Sequence, residues 1–420
     1  MTQPGASEIH VSSESTAANH AARAEHANRI VGHLLTHGTA TRTELAGATG
    51  LGRTSVAGLV ARMVDAGVLV EPENEGAEHH GRHGRLGLAI ADRLLLTAGV
   101  AVDDAVATIA ELDGTEIARY DEPVAITHDD PRPPRTALLD ALAAVVDRAI
   151  AQAERDGRRI AHLTLVVQGA VVGEPALALG DATLGPEPLD VVGALRARSA
   201  RLGTIEADLA TPPALRTAAS ARAASDGVDH RDDIVLHISG DAQVSGAIIV
   251  RGAPYAGAHG LAATFGHLPI VPNGVKCECG QRGCLATVAA PGVVLAKAEL
   301  EDYELTYGRR AAITELTRRI ADSEDRAKWA WLDAALWIGR TLQVVVPTID
   351  PDVVVVGGWW GPLAGDIDAS FRDNRPTLGG GALDTVPRLV AGRAGDELGL
   401  AGARRQARDG LRSSLVSAVA

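Results

Sequence analysis

The chain has 420 residues, 46% hydrophobic and 22% charged, enough for two or three packed domains, which excludes bulk disorder and fibrous repetition. Forty Lys+Arg against 53 Asp+Glu give a net charge of -13, so the protein is not a nonspecific coat for polyanions, although a locally basic module on an acidic body stays open. No apolar run approaches the ~20 residues of a membrane helix and the first 20 residues lack an apolar signal core, which points to the cytoplasm.

Residues 1–20 are polar and Ser/Thr-rich and are expected to be a disordered tail. Residues 21–90 form the first module. Ala27, Ile30, Val31, Leu34 and Leu35 recur at helical spacing until Gly38. Thr41 with Glu44 three residues later is a capping-box signature, and it opens a short helix that ends near Gly50. From Arg53 the stripe Val56, Leu59, Val60 and Met63 predicts a third helix, with Arg53, Thr54, Ser55, Gly58 and Arg62 on its other faces. Val68 to Val70 reads as a strand, and a polar excursion returns at Leu86-Gly87-Leu88 with Gly81 to Arg85 as its tip.

Two helices joined by a Gly-bearing turn and followed by a two-stranded excursion describe a winged helix-turn-helix. The amino end of the Arg53 helix would meet base edges in a major groove, while wing arginines grip phosphate or a minor groove. The DNA-facing set is then Arg42, Arg53, Thr54, Ser55, Arg62, Arg82 and Arg85, with double-stranded DNA as the partner. From His20 to Ile90 seven Arg are matched by seven Asp+Glu, so affinity would rest on placement rather than net charge. The bland alternative is a three-helix packing module with solvated arginines.

Alternating strand and helix patterns then run to the carboxyl end. Leu94 to Ala110 is β-rich, Leu163 to Val167 reads as a strand, Ile234–Ile238 and Ala247–Val250 as a hairpin-like pair, Ala327–Val346 as a helix, and Val353–Val356 as a buried strand before Gly357-Gly358. This predicts an α/β body of two lobes. Aromatics are only 3% of the chain, so Ala, Val and Leu must fill the core.

All three cysteines, Cys277, Cys279 and Cys284, lie in one segment shortly after His267. The spacing is too tight for a disulfide framework. One imidazole and three thiolates make a closed Cys₃His set, as structural Zn²⁺ requires, with Gly280 and Gly283 permitting the turn between thiolates. One zinc ion per chain is expected.

The order of these features, with Gly266-His267, Cys277-Glu278-Cys279-Gly280-Gln281-Arg282-Gly283-Cys284-Leu285 and Asp350-Pro351-Asp352-Val353-Val354-Val355-Val356-Gly357-Gly358, resembles the ROK family (repressors, open reading frames, kinases) from about residue 24 onwards. Within it, Leu45-Ala46, Thr49-Gly50-Leu51, Arg53 and Gly84-Arg85 resemble the DNA-binding segments of the NagC/Mlc/XylR type of sugar-responsive regulator. The resemblance implies a winged helix-turn-helix followed by a two-lobed, actin-like ATPase body, divided as 91–205 and 206–420, with the C-terminal helix returning to the first lobe and zinc beside a sugar pocket.

Departures from the family pattern separate regulator from kinase. Family kinases open the body with Asp-x-Gly-Gly-Thr, whereas this chain reads Val102-Asp103-Asp104-Ala105, placing carboxylates where phosphate should sit. The second phosphate loop is also degenerate, reading Ser239-Gly240-Asp241-Ala242-Gln243-Val244-Ser245-Gly246. No kinase activity is expected. Of the family's sugar contacts only Asp208 and His267 remain, with Thr264 as a shortened substitute and Ala286 in place of a Glu. Unpartnered sugar hydroxyls cost about 1 to 3 kcal/mol each, so common hexoses should bind poorly. The expected function is a DNA-binding regulator, a repressor acting as a homodimer or homotetramer, with a sugar or sugar-derived effector bound by Asp208, Thr264 and His267. The alternatives are a ligand-independent or partner-regulated DNA binder and, third, a sugar kinase.

Overall fold

The computed structural model describes residues 8–71, 84–101, 104–124, 134–180, 183–205, 214–217, 221, 223, 234–373, 386–392 and 399–419. Helix α1 (Glu8–His37) takes in residues 8–20, which were expected to be tail; no Gly or Pro interrupts the chain from Ser7 to Val31, so nothing there stops a helix. Its Ala27, Ile30, Val31, Leu34 and Leu35 are buried, and it stops at Gly38, whose φ of 77° only glycine adopts readily. Helix α2 (Arg42–Thr49) carries the full capping box: the Glu44 N–H donates to Thr41 Oγ1 at 3.2 Å, and the Thr41 N–H to the Glu44 carboxylate at 2.7 Å. Helix α3 (Arg53–Asp65) buries Val56, Leu59, Val60 and Met63. Short strands β1 (Ala40–Thr41), β2 (Leu69–Val70) and β3 (Arg85–Leu88) form an antiparallel sheet in the order β1-β3-β2. Most of the expected wing tip, residues 81–83, lies outside the described residues.

The first lobe holds β4 (Arg93–Val100), β5 (Asp104–Ala110), β6 (Glu116–Pro123), α4 (Arg135–Arg155) and β7 (Arg159–Val167). The pair β8 (Ala170–Val172) and β9 (Leu177–Leu179), helices α5 (Val191–Arg196) and α6 (Ala200–Ile205), and β10 (Ala214–Thr217) follow. The second lobe holds β11 (Ile234–Gly240), β12 (Val244–Val250), β13 (Ala253–Pro254) and helices α7 (Ala286–Ala289), α8 (Pro291–Lys297), α9 (Glu301–Tyr307), α10 (Arg309–Ala321) and α11 (Asp325–Ile349). It ends with β14 (Val353–Gly358), α12 (Ala364–Asp373) and β15 (Arg388–Ala391), before α13 (Leu400–Ser417).

The lobes repeat one topology. In each, three antiparallel strands are followed by two that add in parallel on the free side of the first, giving β6-β5-β4-β7-β10 and β13-β12-β11-β14-β15. This is the duplicated, actin-like α/β arrangement. It moves the expected lobe boundary: β10 lies beyond residue 205 yet pairs in parallel with β7, so the first lobe runs to at least Thr217.

Strand β4 is buried on both faces, which explains its unbroken apolar run. Leu94, Leu96 and Ala98 pack with α4 residues such as Leu138, Leu142 and Val145. Leu95, Ala110 and Ala161 face the other way, into a cluster with Ile30, Leu34, Leu86, Ala407, Leu411 and Val416. The N-terminal module therefore shares a core with the first lobe and α13. In the second lobe Leu236, Ile238, Val354 and Val356 pack with Trp331, Ile338 and Leu342 of α11, and the Trp331 indole donates to Asp366 at 2.7 Å.

Helix α13 crosses the first-lobe sheet and is fastened by arginines four residues apart. Arg404, nearly buried, donates to Thr108 Oγ1 at 2.9 Å and pairs with Glu116 at 2.8 Å; Arg408 donates to the Asp113 carbonyl at 2.8 Å and Arg412 to the Asn28 carbonyl of α1 at 3.0 Å. Removing Arg404 takes a buried guanidinium from both partners, although Thr108 Oγ1 keeps its 2.7 Å bond to Thr97 Oγ1 and Glu116 stays exposed. Arg404→Ala is expected to lower stability to urea unfolding by about 2 kcal/mol, and an unchanged midpoint would show that the pair contributes nothing net.

Candidate nucleic-acid interface, metal centre and cavity

The outward face of α3 is small and polar. With 3.6 residues per turn, Thr54, Gly58 and Ala61 run along its middle, Arg53 flanks one side, and Ser55 and Arg62 the other. Arg53, Thr54, Ser55 and Arg62 are all exposed. The helix opens at Gly52 with no side-chain cap and no acidic residue in its first turn, so its leading N–H groups and positive dipole end are open to an anion such as phosphate.

The remaining expected DNA contacts stand differently. Arg42 pairs with Glu71 at 3.0 Å across the module. Arg85 turns inward: Nε donates to Thr39 Oγ1 at 3.0 Å, a terminal nitrogen donates to the Thr39 carbonyl, and the guanidinium pairs with Glu44 at 3.2 Å. It clamps β3 to the turn between α1 and α2. The Thr41 backbone N–H, followed by the Arg85 charge, holds the Glu44 carboxyl below the usual glutamate range. Arg82 lies outside the described residues.

In the second lobe a 3-10 turn, Phe265–His267, presents His267 to the loop carrying the cysteines. Isolated bridges between Pro269 and Cys284 and between Lys276 and Arg282 fold that loop back on itself. Gly283 has φ 72°, and a Cβ there would lie 2.0 Å from the Val271 carbonyl oxygen, so this corner admits only glycine. His267 Nδ1 lies 3.7 Å from Cys277 Sγ, Cys279 Sγ lies 3.6 Å from Cys284 Sγ, and all four ligand atoms lie within 4.8 Å of one another. Burial, together with the neighbouring thiols, pushes the Cys284 thiol up to about 12. The set could hold a metal ion, whose charge would offset that of clustered thiolates.

A cavity of about 690 Å³ lies beside His267. Gln168 and Gly169 at the end of β7, the β8–β9 pair, β12, residues 252–264 and one side of α13 enclose it. Ligands in α/β folds collect at these carboxyl ends of parallel strands. Of the expected ligand contacts, His267 and Thr264 line it, but the Thr264 hydroxyl already donates to the Leu261 carbonyl at 3.2 Å, and Asp208 lies outside the described residues. Gln243 and Ser245, from the degenerate second phosphate loop, also line it, together with Gln406, Asp409 and Ser413, which no motif in the sequence marks. Gln243 donates to the Gln168 carbonyl at 2.9 Å and so ties the two lobes at the cavity floor.

The position of the first phosphate loop is occupied by charge of both signs. Asp104, largely buried, pairs with Arg310 of α10 at 3.3 Å, one lobe to the other. The second loop is a closed hairpin in which the Asp241 N–H donates to the Gln243 carbonyl at 3.1 Å. Against it lies the fully buried Trp360, whose indole would meet a Cβ on Gly240 at 2.2 Å. The indole thus packs at the end of β11 as part of the second-lobe core, a feature the Gly357-Gly358-Trp359-Trp360 run carries but does not announce.

Residues 111–409 match the ROK family, and the chain belongs to it. It is 26% identical over 330 residues to a glucokinase of Streptomyces coelicolor, covering 71% of this chain and 96% of that protein. It is 28% identical over 144 residues to an N-acetylmannosamine kinase of Vibrio cholerae, covering 32% of this chain and 46% of that protein. Among solved structures, the fold is similar to a ROK family transcriptional regulator, a homologue of the E. coli MLC protein, with a TM-score of 0.67, 18% identity and coverage of 95% and 99% of the two chains. It is also similar to a ROK glucokinase from Streptomyces griseus in complex with glucose and AMPPNP, with a TM-score of 0.57, 20% identity and coverage of 75% and 99%. Among the described residues no helix is long and apolar enough to cross a membrane.

If the Cys₃His set holds a resident metal, the purified protein should carry one equivalent by elemental analysis, and Cys279→Ser should lose it together with several degrees of melting temperature, because ligand binding is coupled to loop order. A metal-free protein whose melting Cys279→Ser leaves unchanged would overturn the assignment.

Proposed function

We propose that this chain is a DNA-binding transcriptional regulator of the ROK family, a repressor in which the N-terminal module is a winged helix-turn-helix and α3 is the recognition helix. The observation that carries this reading is the open amino end of α3, with small residues along its exposed face and Arg53 and Arg62 at its flanks. The likeness to a ROK transcriptional regulator over 95% of the chain supports it. Arg53, Thr54 and Ser55 read base edges and Arg62 meets phosphate, while Arg42 and Arg85 hold the module in shape. Two modules on a homodimer or homotetramer match half-sites of a palindromic operator in the cytoplasm.

The Cys₃His set takes one structural Zn²⁺: four protein ligands complete a tetrahedron and leave no position for a reacting water. His267 then belongs both to the metal centre and to the wall of the cavity, whose effector is a sugar or sugar derivative. In this reading the protein binds rather than catalyses; the two degenerate phosphate-loop sequences and the pairing of Asp104 with Arg310 support it.

A sugar kinase is the second reading, favoured by the glucokinase that aligns along 96% of its own length. It requires AMPPNP to bind and glucose to be phosphorylated; neither is expected in calorimetry or a coupled assay. A ligand-independent or partner-regulated DNA binder is the third, favoured by the engaged Thr264 hydroxyl.

Operator fragments selected from sheared genomic DNA and titrated by anisotropy at two salt concentrations test the main reading. Arg53→Ala is expected to weaken the selected site by about 1 to 3 kcal/mol and relax its sequence preference, while Arg62→Ala weakens all sequences alike and lowers the salt slope. Undiminished affinity in both variants would refute the assignment.

A further inference from the structure

The arginine-rich carboxyl end has so far served only to fasten α13, yet the two sides of this helix face different things. Gln406, Asp409, Gly410 and Ser413, spaced three and four apart, lie on one side and line the cavity. Ala407, Leu411 and Arg412 lie towards the opposite side, where Ala407 and Leu411 share a core with Ile30, Val31 and Leu34 of α1. Arg412 is fitted to α1 closely: besides its bond to the Asn28 carbonyl, its guanidinium carbon would meet a Cβ on Gly32 at 2.9 Å. A glycine inside a helix costs about 1 kcal/mol relative to alanine. At residue 32 it provides the flat on which the guanidinium rests.

We propose that α13 is both a wall of the effector site and the lever that carries its occupancy to the N-terminal module, with Gln406, Asp409 and Ser413 contacting the effector and Arg412 and Leu411 transmitting its presence to α1. This rests on the reading of the cavity as an effector site and of the module as a DNA binder. A ligand acts at a distance only through a difference in free energy between two arrangements of what it touches. Helix α13 touches both the cavity and α1, and α1 shares its core with α2 and α3. A tilt of α13 away from a filled cavity therefore cannot leave the seat of α3 unchanged. The helix is anchored at its start by Arg404 and Arg408 on the first lobe, so the displacement is delivered at its far end, where Arg412 sits.

The test uses the full-length protein and a side chain as the occupant. A Cβ at Gly410 has no atom within 4 Å, so Gly410→Phe sets a ring into the cavity without a clash at its base. Amide hydrogen exchange over residues 28–35 of α1 is expected to accelerate, and affinity for the selected operator to change by about fivefold or more. Combined with Arg412→Ala, Gly410→Phe should alter neither quantity beyond Arg412→Ala alone. Unchanged exchange in α1 of the folded variant, or an effect that survives Arg412→Ala, would overturn the proposal. Ser413→Phe repeats the test from the next turn if Gly410→Phe does not fold. Exchange needs no DNA, so failure of DNA binding with the α1 response intact condemns the regulator reading and leaves the lever, whereas normal DNA binding with an indifferent α1 does the reverse.

Discussion

Burial of the outer face of the first-lobe sheet is the constraint on which the rest depends. Leu95, Ala110 and Ala161 point away from α4, and a sheet with parallel strands cannot leave such a face in water. The cover comes from α13, which packs on β4 and β7 and in turn meets α1. A module that could have hung from a linker thus becomes part of the lobe's core. The buried Arg404 sets the helix in register, because its two partners lie on adjacent strands, β5 and β6.

The second lobe uses the same topology to different ends. Its crossover region is elaborated into the cysteine loop, which brings His267 to the edge of the cavity, and its core takes in Trp360 against the end of β11. Between the lobes, Asp104 pairs with Arg310 in one place, and in another a cavity bounded by α13 stays open.

Local features were legible in the sequence because their physics is local. The capping box of Thr41 and Glu44, the stop at Gly38, the apolar stripe of α3 and the clustered thiols each sit within a few residues of the groups they act on. The two-lobed body could be anticipated from strand and helix patterns, and its family from the motifs around the cysteines. Features that depend on distant partners were not legible. Strand β10 belongs to the first lobe because of β7, about fifty residues earlier. Arg85 looked like a free wing arginine, and only the fold shows Thr39 and Glu44 waiting for it. Gly32 and Arg412 are far apart in the chain, so neither a mid-helix glycine nor an arginine-rich end explained itself. The cavity residues of α13 are ordinary surface types whose position alone gives them a role.

All five tryptophans lie between residues 329 and 360, in the second lobe, and three of them, Trp331, Trp359 and Trp360, form an edge-to-face chain with ring centroids 5.1 and 6.3 Å apart. The first lobe and the N-terminal module contain none. Nature has thereby labelled one half of the molecule: indole emission witnesses the second lobe alone, while far-ultraviolet dichroism sums over the whole chain. Comparing the two optical signals along a denaturation curve reads directly whether the halves melt as one cooperative unit or part company.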